Sequence, residues 1–223
     1  MCYSLLLVRE NTLKPVMIDF IEKLSRNLQS PLPGRKAQYK MAHAVRQDTP
    51  LPPSNAKEAG VLALFYPKAK DWHLALILRP NKNPNDRHGG QVSFPGGKRE
   101  ASDENLQATA LRETEEEVGV DRRDVEVLGA LTDLYIPVSN FLVEPYVGFL
   151  DYEPVFNPQP EEVEQVLEIP FLAFIDAQNR QLKDLRINSQ MTLKKVPYFA
   201  VEQQTVWGAT AMMISELLEV WEQ

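Results

Sequence analysis

Cysteine is almost absent: Cys2 is the only one in 223 residues. A lone thiol closes no intramolecular disulfide and builds no cysteine-based zinc site, and this usage suits a reducing compartment. No apolar stretch approaches the roughly 20 residues needed to cross a bilayer. The opening segment MCYSLLLVRENTLKPVM has a short apolar run, but Arg9, Glu10 and Lys14 break it. Neither a basic leader nor a small-residue cleavage site accompanies it, so no secretory signal is expected. Positive charge is in deficit too, with 24 Lys and Arg against 31 Asp and Glu and a net charge of −7. That balance argues against a nucleic-acid-binding surface, although an acidic average still allows a local basic pocket. A cytoplasmic protein with neither membrane nor nucleic-acid partner is expected. What is present, 43% apolar residues of which 9% of the chain is aromatic, is enough to bury a core.

Val16, Met17, Phe20, Ile21, Leu24 and Leu28 recur at spacings of three and four, which predicts an amphipathic helix from about Lys14 to Leu28. The following stretch, SPLPGRKAQYKMAHAVRQDTPLPPSN, holds five prolines and breaks regular structure. It reads as an irregular arm wrapped on the domain, because Tyr39 and Met41 want cover. GVLALFY (Gly60 to Tyr66) and HLALILR (His73 to Arg79) suit adjacent buried strands joined by a turn. A helical pattern runs from Asp103 to Val118, with Ser102 or Asp103 placed to cap it and Gly119 at the C-terminal glycine position. VEVLGAL, FLVEPYVGFL, VEQVLEI and VPYFAVEQQTVWG offer further strands. A helix with Ala211, Ile214, Leu217, Leu218 and Trp221 on its apolar stripe closes the chain. Strands between helices indicate an α/β layer fold around a mixed sheet. One domain over 1–223 is expected, with the helix and arm of 1–58 packed on a core of 59–223.

The chemistry concentrates in FPGGKREASDENLQATALRETEEEVGV, Phe94 to Val120. At about 100° per residue, Glu117 lies roughly 40° from Glu113 and Glu116 about 60° to the other side, while Glu115 points away. Three carboxylates therefore share a helix face near the end where the dipole disfavours anions, and like charges at this spacing repel. ETEEE alone is a solvated helix face. A sequence that keeps three carboxylates crowded in this way calls for a bound cation, and dense oxygen ligands suit Mg²⁺ or Mn²⁺. Upstream, the glycines of Pro95-Gly96-Gly97 allow a bend that brings main-chain carbonyls near the same cation. Lys98 is placed to meet a phosphate oxygen. Arg79 either binds phosphate or closes a strand at the surface. His88, beside Gly89-Gly90, either contacts phosphate or is a hydrogen-bonding loop residue. Tyr39, Tyr135 and Phe141 are buried aromatics or stacking partners for an adenine. His43 and His73 read as structural.

The run Arg112-Glu113-Thr114-Glu115-Glu116-Glu117-Val118-Gly119-Val120, with Gly97 upstream, resembles the second half of the Nudix box. In the first half, Asp103 stands where the box has Glu, and one extra residue separates it from Arg112. Both departures, with Gly96 to Lys98, Thr109 to Glu113, GGQVSFPGG and the closing WGATAMMISELL, resemble the coenzyme A pyrophosphatase branch. Upstream, Ile77-Leu78-Arg79-Pro80 replaces that branch's Thr-x-Arg-Ser, and Asp86 falls where a second arginine is usual. The resemblance implies a Nudix α/β/α sandwich around a mixed sheet, with Mg²⁺ or Mn²⁺ as cofactor. It implies Glu113 and Glu117 as principal metal ligands and Glu116 as a further ligand or the group polarising water. Arg112 would orient a neighbouring glutamate, Gly96 or Gly97 would offer a carbonyl, and Glu162 would add a carboxylate from a later loop. The implied activity is hydrolysis of the diphosphate of coenzyme A or an acyl-coenzyme A. ADP-ribose, a dinucleoside polyphosphate or a nucleotide sugar are alternative substrates, and a non-catalytic nucleotide sensor is the alternative in another class. The partner is a small nucleoside diphosphate derivative, and the apolar C-terminal helix would serve a homodimer.

Overall fold

The computed structural model of the chain describes residues 19–46, 49–82, 88–187 and 191–223. The expected N-terminal helix is present over 19–28 (α1); its first expected turns, with Val16 and Met17, lie outside the described residues, as do Cys2 and Asp86. The proline-rich arm carries a short helix, α2 (Arg35–Gln38), and two 3-10 turns, Tyr39–Met41 and Ala44–Arg46. The arm lies on the domain. Met41 is buried, and Ser215 Oγ donates to the Ala37 carbonyl at 2.8 Å. The buried carboxylate of Glu216 accepts from Gly34 N, Gln38 Nε2 and both the backbone N–H and hydroxyl of Thr132.

Strand β1 (Lys57–Lys68) pairs antiparallel with β2 (Asp71–Leu78) across a two-residue turn, Ala69-Lys70, both at positive φ. That is the twist a tight hairpin requires. The short strands β3 (Val92–Ser93) and β4 (Gly96–Lys98) pair with β2 and β1. Helix α3 (Leu106–Val118) follows, capped by Asn105, whose Oδ1 accepts from Ala108 N at 2.8 Å. Asp103 and Ser102, the expected caps, are not the cap: Asp103 is engaged by Arg112, Thr109 and the Glu100 N–H. Gly119 does close the helix in the left-handed conformation, φ 75°. Strands β5 (Glu126–Ala130), β6 (Leu134–Ile136), β7 (Phe141–Phe149) and β8 (Gln165–Pro170) complete the main sheet. Its path is β3-β2-β1-β7-β5, with β1 and β7 parallel and the other pairs antiparallel. Helix α4 (Phe171–Ile175) leads to a small antiparallel sheet of β9 (Arg180–Arg186), β10 (Thr192–Val201) and β11 (Gln204–Trp207), and α5 (Gly208–Glu222) ends the chain.

β1 shows why the layers form. Leu62, Leu64 and Tyr66 enter a core with Ala110 and Val118 of α3, while Ala59, Ala63 and Phe65 enter a second core with α1 and α5. A strand covered on both faces reads as an unbroken apolar run. Gly60 brings α3 down onto the sheet: a Cβ there would stand 2.2 Å from the Leu106 carbonyl oxygen. On the opposite face, Phe20 of α1 stacks on Trp221 with ring centroids 4.3 Å apart and meets Phe65 and Phe171. Helix α5 is buried nearly all round, Ala211, Ile214, Leu217 and Leu218 included. Most of its apolar residues are therefore spent inside the chain.

Candidate active site

The carboxylates of α3 do not share one environment. Glu117 is buried, with 1% of its side chain exposed; its Oε2 accepts from the Gly96 N–H at 2.8 Å, and Arg79 Nη1 lies 3.9 Å from its Oε1. Burial dominates these favourable contacts and, with Glu113 and Glu162 nearby, pushes its pKa up to about 8. Burial also raises Glu113, with Arg112 opposing and Glu116 and Glu162 adding to the rise. Glu113 lies directly under Gly97: a Cβ on Gly97 would be 2.4 Å from the Glu113 carboxyl carbon. Glycine there is a space requirement.

Glu116 is the outward member, 57% exposed, and is held by Arg112 Nη1 at 2.9 Å. Arg112 is the hub of the site. Its Nε and Nη2 fork onto the two oxygens of Asp103 at 2.9 Å each, and Nη1 also reaches Glu113 at 3.1 Å and Nη2 the Lys98 carbonyl at 3.3 Å. Asp103 is held well below the usual carboxylate range, first by Arg112. Glu115, turned away as its helical angle requires, pairs with Arg122. Glu162 comes close through the chain that follows β7: Asn157 N and Gln159 N donate to the carbonyls of Val118 and Glu117, tying that loop to the end of α3. Among the described residues no three such side chains already stand in a ligand cluster, because Arg112 draws Glu116 aside and the buried pair faces inward.

Residues 56–191, more than half of the chain, match the NUDIX domain. The chain belongs to the Nudix family. It is 33% identical over 165 residues to the uncharacterized Nudix hydrolase NudL of Photorhabdus laumondii, covering 74% of this chain and 85% of that protein. It is 34% identical over 164 residues to Nudix hydrolase 22, chloroplastic, of Arabidopsis thaliana, covering 71% and 53%. The crystal structure of the Nudix hydrolase RenU of M. smegmatis aligns over 74% of this chain and 85% of that one, with 14% identity and a TM-score of 0.48.

Next to the Nudix box, on the sheet face opposite α3, lies a cleft of about 690 Å³. Gly96, Gly97, Lys98, Arg79 and His88 line its box end, so the structure brings these five together. Glu113, Glu116, Glu117 and Glu162 are not in the lining; the first three lie on α3, with Glu113 and Glu117 beneath the glycine segment. Most of the remaining wall is apolar, with Val61, Val92, Ile136, Phe141, Trp207 and Met213 prominent. Of the aromatics named as stacking candidates, Phe141 lines the cleft, whereas the hydroxyls of Tyr39 and Tyr135 are engaged by Arg35 and Asn140. His43 also lines the cleft, its Nε2 3.0 Å from the Lys194 carbonyl, and His73 is buried on β2. One charged wall residue, Arg46 of the arm, was not among the sequence candidates; isolated in a proline-rich stretch, it has no periodic or motif context to mark it.

Proposed function

We propose that this Nudix protein is a Mg²⁺-dependent diphosphatase that cleaves the diphosphate of coenzyme A or an acyl-coenzyme A. The observation that carries the substrate is the two-part cleft, with Lys98, Arg79 and His88 at one end and a mostly apolar wall beyond. A diphosphate carrying a long flexible arm, with methyl and methylene segments between its amides, matches that partition.

Glu113 and Glu117 fit a divalent cation on their chemistry. Both are oxygen donors, both sit where burial disfavours their charge, and among the described residues the cation paired with Glu117 is a guanidinium at 3.9 Å. With Glu116 and Glu162 as additional carboxylates and a carbonyl of Gly96 or Gly97, they would hold Mg²⁺ or Mn²⁺. The cation supplies charge screening of the diphosphate and acidification of water. Lys98 and Arg79 bind diphosphate oxygens, and His88 adds a polar contact at the same end. Glu116, solvent-facing and oriented by Arg112, accepts a proton from the attacking water. Arg112 is a positioning residue: its fork to Asp103 fixes the guanidinium from which Glu113 and Glu116 are aimed.

The test is hydrolysis of coenzyme A, an acyl-coenzyme A and ADP-ribose with and without Mg²⁺, with products identified by mass. Phosphopantetheine or its acyl form, together with adenosine 3′,5′-bisphosphate, is expected only with the metal. Turnover of ADP-ribose with coenzyme A untouched would overturn the substrate, and turnover unaffected by chelation would overturn the metal.

A further inference from the structure

Arg46 is a cation in a mostly apolar wall, and no described carboxylate pairs with it. It stands in the 3-10 turn Ala44–Arg46 of the arm and lines the same cleft as Lys98 and Arg79. Its Nη2 donates to the Tyr135 carbonyl at 2.6 Å, and its Nε is buried with no hydrogen-bond partner. The titratable group it feels is a phenol, Tyr39, and no described carboxylate is paired with it; burial pulls its pKa down. A guanidinium held this way is costly unless an anion completes it.

Its bond to the Tyr135 carbonyl ties it to the edge of the main sheet. Leu134, beside Tyr135, is in register with Val143 of β7, which pairs with Ala59 of β1, which pairs with Lys98 of β4. Three strand spacings are about 14 Å. Arg46, tied to the Tyr135 carbonyl, and Lys98 both line the cleft, so the two cations reach it from anchor points separated by those three strand spacings.

We propose that Arg46 binds a second, separate phosphate of the substrate: a phosphate monoester on the nucleoside, while Lys98 and Arg79 hold the diphosphate. This deepens the coenzyme A reading and rests on it for the choice of substrate, since that nucleotide carries a 3′-phosphate that ADP-ribose lacks. The Tyr135 carbonyl takes one N–H of Nη2 and leaves the other guanidinium N–H groups to make charge-assisted bonds to phosphate oxygens. Arg46 would then act on specificity through the monoester without touching the bond that breaks.

Two measurements test it on the full chain. By calorimetry, the wild type should bind adenosine 3′,5′-bisphosphate roughly 10- to 100-fold more tightly than AMP. Arg46→Met should reduce that ratio to about two-fold or less while leaving AMP binding unchanged, and Arg46→Lys should keep part of it. In turnover, the kcat/KM ratio of coenzyme A to 3′-dephospho-coenzyme A should fall in parallel in Arg46→Met. A wild type that binds the two nucleotides equally, or an Arg46→Met protein that keeps the full ratio, overturns the assignment. Should Arg46→Met fold poorly, the wild-type ratio and Arg46→Lys decide. The substrate reading fails separately: a binding ratio that depends on Arg46 with no turnover of coenzyme A removes the substrate and keeps the phosphate site. Hydrolysis of coenzyme A that ignores Arg46 does the reverse.

Discussion

Gly97→Ala separates a steric role at the site from a steric role in the fold. The new methyl carbon would stand 2.4 Å from both Cδ and Oε2 of Glu113 and 2.6 Å from Oε1. Ordinary contact begins near 3.5 Å, so the Glu113 carboxylate must retreat by about 1 Å. The backbone has no objection, because Gly97 is not at positive φ, and alanine there trims the unfolded chain's freedom, worth about 0.4–1 kcal/mol. Rotating Glu113 off its rotamer costs about 0.5–1.5 kcal/mol. The two nearly cancel, so thermal unfolding should stay within a few degrees of the wild type. Activity should not, because a 1 Å misplacement of a catalytic group costs about 100-fold, or about 2.7 kcal/mol. Gly60→Ala is the contrast. Its Cβ would meet the backbone oxygen of Leu106 at 2.2 Å and the nitrogen of Ala110 at 3.0 Å. Helix α3 itself would have to lift, costing about 1–3 kcal/mol or more. Scanning fluorimetry and Mg²⁺-dependent hydrolysis on both variants give the answer. A Gly97→Ala protein with full activity, or one that unfolds as early as Gly60→Ala, refutes the placement of Glu113 under the glycine.

Glu117→Gln should abolish Mg²⁺-dependent turnover yet raise the stability of the metal-free protein at alkaline pH by up to a few kcal/mol. The sign follows from a folded pKa raised from 4.5 to about 8: wild-type stability is highest below 4.5 and is lost as pH rises towards 8, whereas the glutamine variant should be flatter in urea titrations over that window. Asp103→Asn should lose roughly 2–4 kcal/mol at neutral pH by breaking the fork with Arg112. Because Asp103 is depressed, the wild-type advantage is present above its unfolded pKa and should fade as pH falls below it, which acid unfolding followed by circular dichroism will show. Glu216→Gln puts an amide against one of four donors and should lower the urea stability by roughly 2–4 kcal/mol. It should also open the arm around residues 30–46 to limited proteolysis before the rest of the domain.

The strands that were legible in the sequence are those whose neighbours cover them. β1, β2 and β7 carry apolar runs because both faces are buried, and α3 and α5 show helical periodicity together with Gly119 or an apolar stripe. β9 was not legible. Its sequence RQLKDLR is mostly exposed, and its existence depends on pairing with β10, a long-range contact that leaves no local pattern. β6, three residues long, depends on β7 in the same way. The cap of α3 was misassigned because Ser102, Asp103 and Asn105 are all competent caps, and the choice between them was made by Arg112, which takes the Asp103 carboxylate. The angular positions of Glu113, Glu116 and Glu117 follow from helix geometry, but the split between a buried pair and an exposed third follows from Gly96, Gly97 and Arg112, which approach from other elements.

The same dependence explains how one strand serves two compartments. Along β1, Gly60 faces α3 and lets the carboxylate helix sit against the sheet, while Ala59 and Val61 face the cleft. β4 lies on the border: the Gly96 N–H points to Glu117 and Gly97 covers Glu113, yet both glycines and Lys98 also line the cleft. Any side chain larger than hydrogen at either glycine would thicken this border, and at Gly96 a Cβ would also strike the Gly60 carbonyl oxygen at 2.4 Å from a backbone at φ +144°. Two glycines in succession therefore do what neither a longer loop nor a polar residue can. They leave only a peptide's thickness between the groups suited to hold a cation and the space suited to hold a diphosphate.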